Sequence, residues 1–213
     1  MPQTAPPSNH SANQQLYLYG ASGHCKVIID ILEACNRHVS GIVDDFSKEP
    51  SLKGIALMGQ IKDATADYII AIGSNSARRR IASANDLRYA TAVHPSAVVS
   101  PHARISEGTV VMAGAIVNSD AAIGRHCIVN SAAVIEHDCS ISDFAHISPG
   151  ARLAGNVAVG EGAHIGIGAC VIQGVRIGKW AVIGAGAVVI RDVPDCAVVV
   201  GNPGRVIKYV EAP

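Results

Sequence analysis

Aromatic residues are scarce in this chain of 213 residues: Phe, Trp and Tyr together make up 4% of it, although 49% of the residues are hydrophobic. A core of this composition has to be filled mainly by small aliphatic side chains. Net charge is also lacking, since 17 basic side chains balance 17 acidic ones. Without a broad positive field, the sequence predicts no binding to nucleic acid.

Long apolar runs and cysteine pairs are missing too. No stretch reaches the ~18 consecutive apolar residues that cross a membrane, and residues 1–15 lack the apolar core of a signal peptide. The six cysteines include no CxxC pair and no regular framework, which predicts reduced, space-filling thiols. We therefore expect a cytoplasmic protein with no membrane insertion.

The sequence does contain an aliphatic residue at every sixth position from Val99 to Val189, with a small residue, usually Ala, two positions before most of them. This period fits neither an amphipathic helix nor a long strand, whose side-chain periods are about 3.6 and 2. It fits a parallel β-helix, in which very short strands alternate with corners and stacked coils bury the aliphatic and small residues. An ordinary β-sandwich is the weaker alternative.

This pattern resembles the left-handed β-helix of the hexapeptide acyltransferases. The resemblance implies three hexapeptides per coil, so that residues 18 apart are stacked, as in Val99, Val117 and Ile135. It also implies assembly as a homotrimer, which the outward apolar content of the coils favours.

A second pattern precedes the solenoid. The apolar run Leu16–Tyr19 is followed by the turn GASGH over 20–24 and then by apolar residues at helical spacing, which predicts a β-α-β unit. Glycine in such a turn lets backbone N–H groups approach a phosphate at a helix N-terminus. Because the turn is not G-x-G-x-x-G, it predicts a site for one nucleotide rather than a dinucleotide. A turn whose glycines serve geometry alone is the alternative.

Further polar residues of this unit follow its strands. Two acids end the second strand about twenty residues after the turn, where an acid reaches a ribose hydroxyl or a base N–H. Another buried strand ends in GSN over 73–75, at the edge where parallel sheets hold ligands. The predicted substrate-binding residues are Ser22, Gly23, His24, Asp44, Asp45, Gly73 and Asn75. The run Arg78-Arg79-Arg80 on the next helix is expected to be a solvated face.

The predicted fold is therefore an α/β N-terminal domain with a small Rossmann-like parallel sheet, followed by a left-handed parallel β-helix of hexapeptide repeats. We place a disordered tail over residues 1–15 and a nucleotide-sugar-binding domain over 16–91. The β-helix acyltransferase domain covers 92–200, and a C-terminal tail covers 201–213.

The motifs GASGH, VDD, AIGSN and HPSA, together with IEHDC over 135–139, resemble those of the sugar-nucleotide N-acetyltransferases that make bacillosamine precursors. The resemblance covers residues 16 to 208. It implies acetyl-CoA-dependent N-acetylation of the 4-amino group of a UDP-linked 4-amino-4,6-dideoxy sugar, for surface glycan or glycoprotein biosynthesis. The sequence departs from the family at Asp138, where some relatives have Glu, and at Gly204, where Ala is common.

N-acetylation needs a base that accepts a proton from the attacking amine. His137 falls at a coil corner, two places after the inward Ile135, and the adjacent Asp138 favours the protonated imidazole and fixes its tautomer. We predict that His137 is the general base, oriented by Asp138; a surface ion pair is the alternative. Asn130, also near a corner, is a candidate for holding the sugar.

The resemblance supplies the remaining site residues. It places His146 beside the acetyl-CoA thioester, whereas His164, eighteen residues further on, has no matching role and is read as a solvated or interface histidine. His102 and His126 are expected at the surface. The residues implied to bind coenzyme A between two subunits are Gly155, Ile167, Gly168 and Ala185.

Other functions stay open. The acceptor could be GDP-perosamine, a sialic acid or serine, although the nucleotide-type turn argues against a free amino acid. A γ-type carbonic anhydrase has the same solenoid, but no two of the nine histidines have the five-residue spacing of its zinc ligands, so no metal is predicted. A nucleotide-sugar binding protein without catalysis is a further possibility.

Overall fold

The computed structural model describes residues 15–61 and 63–213, so the predicted tail over 1–15 lies outside the described residues except for Gln15. The first part of the described chain contains β1 (Leu16–Tyr19), α1 (Gly23–Ala34), β2 (Gly41–Val43), β3 (Ser51–Leu52), β4 (Ile55–Met58), β5 (Asp67–Ile70), α2 (Asn75–Ala84) and β6 (Arg88–Tyr89). The strands form one sheet in the order β3-β4-β2-β1-β5-β6, parallel except for the β3–β4 pair.

Inside this sheet β1 lies between β2 and β5, and the residues of β1 and β5 are almost all buried. Continuous apolar strands of this kind are typical of parallel sheets covered on both faces. The apolar residues of α1 recur on one face, and Ile28, Ile31 and Leu32 are at most 1% exposed. Burying this face against the sheet fixes the β1-α1-β2 unit that the sequence predicts.

The next part is a parallel β-helix whose strands recur every six residues in three stacks. The first stack contains β7 (Ala92–Val93), β10 (Val110–Val111), β13 (Ile128–Val129), β16 (His146–Ile147), β19 (His164–Ile165), β22 (Val182–Ile183) and β24 (Ala197–Val200). The second contains β8 (Val98–Val99), β11 (Ile116–Val117), β14 (Val134–Ile135), β17 (Arg152–Leu153), β20 (Cys170–Val171) and β23 (Val188–Val189). The third contains β9 (Arg104–Ile105), β12 (Ala122–Ile123), β15 (Ser140–Ile141), β18 (Ala158–Val159) and β21 (Arg176–Ile177).

The predicted stacking of residues 18 apart is confirmed. Val117 pairs in parallel with Val99 on one side and with Ile135 on the other. Inward aliphatic residues such as Ile135, and small residues such as Ala133, are fully buried. Each large aliphatic side chain buried in this way stabilises the fold by about 1.5–3 kcal/mol. The last strand, β25 (Arg205–Tyr209), pairs antiparallel with β24 inside the predicted tail over 201–213.

Each coil turns at three corners. We name corner A between the first and second stacks, corner B between the second and third, and corner C between the third and the first. Several corner residues have left-handed backbone conformations, including Asp138 with φ 60° and His126 with φ 54°. Asp and His tolerate this conformation better than most residues other than glycine.

The α/β part packs on the outer face of the first stack. Ile28 and Leu32 of α1 share a buried cluster with Ala92, Val110 and Ile128. The solenoid begins with β7 at Ala92, and the division into two functional domains stays a prediction. No helix in the described ranges is long and apolar enough to cross a membrane, and all six cysteines are free thiols.

Candidate active site

The glycine-rich turn joins β1 to α1. Gly20 has φ +106°, and an added Cβ would lie 2.5 Å from the Ile72 side chain, so the turn requires glycine here. Ser22 is the N-cap of α1 but makes no side-chain cap hydrogen bond. Unbonded N–H groups and the helix dipole make this kind of helix end suitable for a phosphate.

The two acids at the end of β2 have different surroundings. The Asp44 carboxylate accepts hydrogen bonds from the backbone N–H groups of Ala21 (2.7 Å), Phe46 (2.9 Å) and Ser47 (2.8 Å). Desolvation raises the pKa of Asp44, but these three donors outweigh it and the pKa is lowered. Asp45 is exposed and accepts a hydrogen bond from the Tyr19 hydroxyl at 2.8 Å. Asp44 therefore braces the turn, and Asp45 is the more accessible acid.

The GSN segment at the end of β5 faces the solenoid. The Asn75 amide donates to the carbonyls of Gly162 (3.0 Å) and Ala163 (3.3 Å). Its side-chain oxygen accepts a hydrogen bond from Arg78 at 2.9 Å, and the Gly73 carbonyl accepts another from Arg78 at 2.9 Å. Asn75 thus bonds directly to the solenoid, and Gly73 is linked to it through Arg78.

Two sequence expectations about this contact are wrong. Arg78, expected on a solvated face, is 1% exposed, because α2 packs against corner C. His126, expected at the surface, is also 1% exposed. Its ring lies between Tyr89 and Phe144, with centroid distances of 4.4 and 5.2 Å. The α/β part covers this histidine, a long-range contact that local spacing does not report.

The outer face of the first stack carries paired histidines. His146 and His164 pair in adjacent coils, as predicted from their spacing, and their rings meet edge to face with centroids 4.8 Å apart. His146 Nε2 lies 3.0 Å from the Asn130 amide nitrogen, and Asn130 Oδ1 accepts a hydrogen bond from the Ser131 N–H at 2.8 Å. Because the Asn130 oxygen is occupied, its NH₂ group donates to Nε2. Neutral His146 therefore carries its proton on Nδ1.

His146 and His24 are both poor acids and bases near neutral pH. Burial, followed by the charges of His164, Arg78 and His24, lowers the pKa of His146 to about 3. Burial and the charge of Arg78 lower the pKa of His24 to about 4. Within the described ranges, His24 Nε2 is buried without a hydrogen-bond partner. A hydrogen bond with the Gly73 backbone opposes the lowering of the His146 pKa but does not offset it. These neutral imidazoles are suited to hydrogen bonding rather than proton transfer.

His137 lies at corner B in a contrasting environment. Its Nδ1 is 2.7 Å from Asp138 Oδ2, and the two side chains are 62% and 61% exposed. The hydrogen bond to Asp138 raises the pKa of His137. The edge of the ring that carries Nε2 lies over Gly155 in the next coil, where an added Cβ would be 2.6 Å from Cε1 and Nε2. This arrangement leaves Nε2 available to accept a proton.

The predicted site residues fall into separate places within one chain. His137, Asp138 and Gly155 are at corner B, which faces away from the first stack. His24 and His146 lie where the α/β part meets the first stack, with Asn130 at the adjoining corner A. The predicted coenzyme residues other than Gly155 are at corner A and comprise Ile167, Gly168 and Ala185. The predicted base and the predicted nucleotide-binding turn are thus not brought together within one chain.

No arrangement of three or more His, Cys, Asp or Glu side chains suited to a metal ion occurs among the described residues. The three groups that the site offers are a histidine–carboxylate pair, neutral buried imidazoles and a helix N-terminus. These groups support acyl transfer to a phosphorylated acceptor.

Comparison with known proteins agrees with this chemistry. Residues 15–84 match the family described as PglD N-terminal domain. A segment of 109 residues is 42% identical to UDP-N-acetylbacillosamine N-acetyltransferase of Bacillus subtilis, covering 45% of this chain and 50% of that protein. The chain thus spans about half the length of this curated relative.

Solved structures match over almost the whole chain. PerB from Caulobacter crescentus, in complex with CoA and GDP-perosamine, is 39% identical with a TM-score of 0.86, over 92% of this chain and 99% of that chain. The acetyltransferase domain of PglB from Neisseria gonorrhoeae, in complex with acetyl coenzyme A, is 38% identical with a TM-score of 0.85, over 92% and 100%. This chain therefore belongs to the hexapeptide-repeat family of sugar-nucleotide N-acetyltransferases.

Proposed function

We propose that this protein transfers the acetyl group of acetyl-CoA to the 4-amino group of a UDP-linked 4-amino-4,6-dideoxy sugar. The observation that carries the mechanism is the His137–Asp138 pair, which leaves Nε2 of an exposed imidazole free at corner B. We place the reaction in the cytoplasm, where it supplies a sugar for surface glycan or glycoprotein synthesis.

In this mechanism the amine nitrogen attacks the thioester carbonyl carbon, and Nε2 of His137 takes the proton that the nitrogen loses. The tetrahedral intermediate then collapses, the C–S bond breaks, and the leaving thiolate takes the proton from the His137 imidazolium, which restores the neutral base. Asp138 fixes the tautomer, since its contact at 2.7 Å requires the Nδ1 proton. His146 serves as a neutral hydrogen-bonding group near the thioester, because its pKa of about 3 keeps it uncharged.

A second subunit completes this site. Corner B carries the base, whereas the nucleotide-binding turn packs on the first stack of the same chain. The outer face of the second stack is largely apolar and includes Val98, which is 64% exposed, together with Val134 and Val188. Burying such a surface between chains is favourable. We assign it to the interface of a homotrimer in which corner B of one subunit meets corner A of the next.

Acetyl-CoA is proposed to lie in that interface, against the backbone of Gly155, Ile167, Gly168 and Ala185. The Neisseria and Caulobacter relatives, which have the same fold, were crystallised with acetyl coenzyme A and CoA, which supports acetyl-CoA as the co-substrate. The exposed Ile167, 61% accessible, offers apolar contact to a pantetheine chain. No metal takes part in the proposed reaction.

The nucleotide is assigned to the α1 turn. Ser22 and Gly23 would contact the diphosphate, Asp45 and the braced Asp44 would lie near the ribose and base, and Asn130 would hold the sugar. A GDP-linked amino sugar is the second candidate acceptor, because the relative crystallised with GDP-perosamine is 39% identical over nearly its whole length.

The deciding experiment offers UDP- and GDP-linked 4-amino sugars with acetyl-CoA and detects the N-acetylated product by mass spectrometry. We expect turnover of a UDP sugar, and a kcat lower by about 10²- to 10⁴-fold in folded His137→Ala. Binding of the sugar nucleotides without any product would support a binding protein instead. Full activity of His137→Ala would remove the general base from the mechanism.

A further inference from the structure

Arg78 is a buried cation whose hydrogen bonds are unusual in kind. A guanidinium that is 1% exposed is rare unless it is paired with an acid. Here its five donated hydrogen bonds go to four backbone carbonyls and one amide oxygen, with none to a carboxylate. The acceptors are Ile72 O (3.2 Å), Gly73 O (2.9 Å), Asn75 Oδ1 (2.9 Å), His126 O (3.0 Å) and Phe144 O (2.8 Å).

These acceptors belong to two different parts of the chain. Ile72 and Gly73 follow the carboxyl end of β5 and Asn75 begins α2. His126 and Phe144 occupy corner C in successive coils. One planar side chain therefore joins the nucleotide-binding edge to the solenoid by directional bonds.

Neighbouring residues extend the same contact along corner C. Asn75 donates to carbonyls of Gly162 and Ala163, one coil beyond Phe144. Arg79 lies over the Trp180 ring at 4.6 Å, another coil further on. The first turns of α2 thus run along corner C through four coils. Arg78 is the buried residue of this contact.

The chemistry of Arg78 is better suited to fixing the orientation of the α/β part on the solenoid than to holding the two parts together. Burial lowers its pKa to about 10, so it stays charged at neutral pH. Apolar packing would hold two surfaces together at less cost than a buried charge. A guanidinium adds a rigid fan of donors, which fixes the angle as well as the distance between the groups that it joins.

From this geometry, and on the basis of the proposed function, we infer that Arg78 is a positioning residue for acetyl transfer. It fixes the edge of the sheet that holds the nucleotide against the solenoid that holds the acetyl donor. The amino group and the thioester then meet in a reactive geometry. A displacement of about 1 Å in such an arrangement lowers the rate by about 10²-fold.

The test compares Arg78→Lys with Arg80→Lys, a matched change at an exposed arginine on the same helix. Lysine keeps the charge but lacks the planar fan of donors. For Arg78→Lys we expect kcat to fall about 10²-fold while KM for each substrate stays within about threefold, because each substrate keeps its own contacts. Arg80→Lys should behave as the wild type.

Chemical rescue provides a second readout. Arg78→Ala should lose a similar or larger share of kcat, and added guanidinium ion should restore it with saturation. Hydrogen exchange, which needs no turnover, should show faster exchange in α2 of Arg78→Lys and unchanged exchange in the solenoid. If Arg78→Ala does not fold, Arg78→Lys alone decides.

Wild-type kcat in Arg78→Lys would overturn the inference, and so would faster exchange in α2 without loss of kcat. An effect confined to KM for the sugar nucleotide would also overturn it, because Arg78 would then act in binding. A wild-type protein that acetylates none of the amino sugars would instead refute the proposed function, while hydrogen exchange would still report on the contact.

Discussion

Replacing Gly155 with alanine should move the imidazole of His137 without disturbing the coil beneath it. The added Cβ would lie 2.6 Å from Cε1 and Nε2, and ordinary carbon contacts begin near 3.5 Å, so the ring has to move by about 1 Å. The His137 side chain is 62% exposed and can swing towards solvent. Gly155 does not have a positive φ, so alanine fits its backbone. The free energy of unfolding should therefore change little.

The expected result is a fall in kcat of about 10²-fold, since the proton acceptor is displaced from the attacking amine. The assay is steady-state acetyl transfer with both substrates varied, alongside thermal unfolding. Gly59→Ala is the matched control, because an added Cβ there meets nothing within 4 Å. In a His137→Ala background, Gly155→Ala should cause no further loss, as a double-mutant cycle would show.

Wild-type kcat in folded Gly155→Ala would refute the reasoning that the position of His137 controls the rate. A rise in KM for acetyl-CoA with kcat unchanged would have a different meaning. It would assign Gly155 to the coenzyme, the role implied by the family resemblance, and would separate that role from support of His137.

Three further changes test other parts of the site. Asp138→Asn replaces the carboxylate that raises the pKa of His137 with a neutral amide, so the ascending limb of kcat/KM against pH should move to lower pH, with a reduced plateau. Asp44→Ala releases three backbone N–H groups around the turn and should raise KM for the sugar nucleotide about tenfold, with KM for acetyl-CoA unchanged. Val188→Asp places a charge on the apolar face of the second stack and should convert trimers to monomers, as measured by light scattering. If the variant is a trimer like the wild type, the proposed interface is contradicted.

The solenoid was predictable because its register is encoded locally. Each hexapeptide contains its own inward pair, such as Ala133 and Ile135. The inward positions of every coil can therefore be assigned from its own residues. The pairing of His146 with His164 and the placing of His137 at a corner follow from the same count.

The contact between the two parts was not predictable in this way. Arg78 was expected in solvent, because local sequence does not report which solenoid corner a separate helix covers. His126 is also buried against expectation, although the residues 18 positions apart at its corner indicate a shared ring-packing pattern. Counting by 18 along corner C gives Gly108, His126, Phe144, Gly162 and Trp180, in which glycines adjoin rings. The hexapeptide pattern is defined by the inward rows, so it does not report contacts at the corners.

At several corners of this solenoid a glycine leaves room for an aromatic or imidazole ring in the adjacent coil. An added Cβ at Gly108 would lie 2.3 Å from the His126 ring, and one at Gly162 would lie 2.3 Å from Trp180. At corner C the rings that use this space meet α2 or the residues around it. At corner B, Gly155 makes the same space for His137, but among the described residues that ring is left 62% exposed. The same packing rule therefore produces an anchor where the α/β part is present and, at corner B, an imidazole that stays open to solvent.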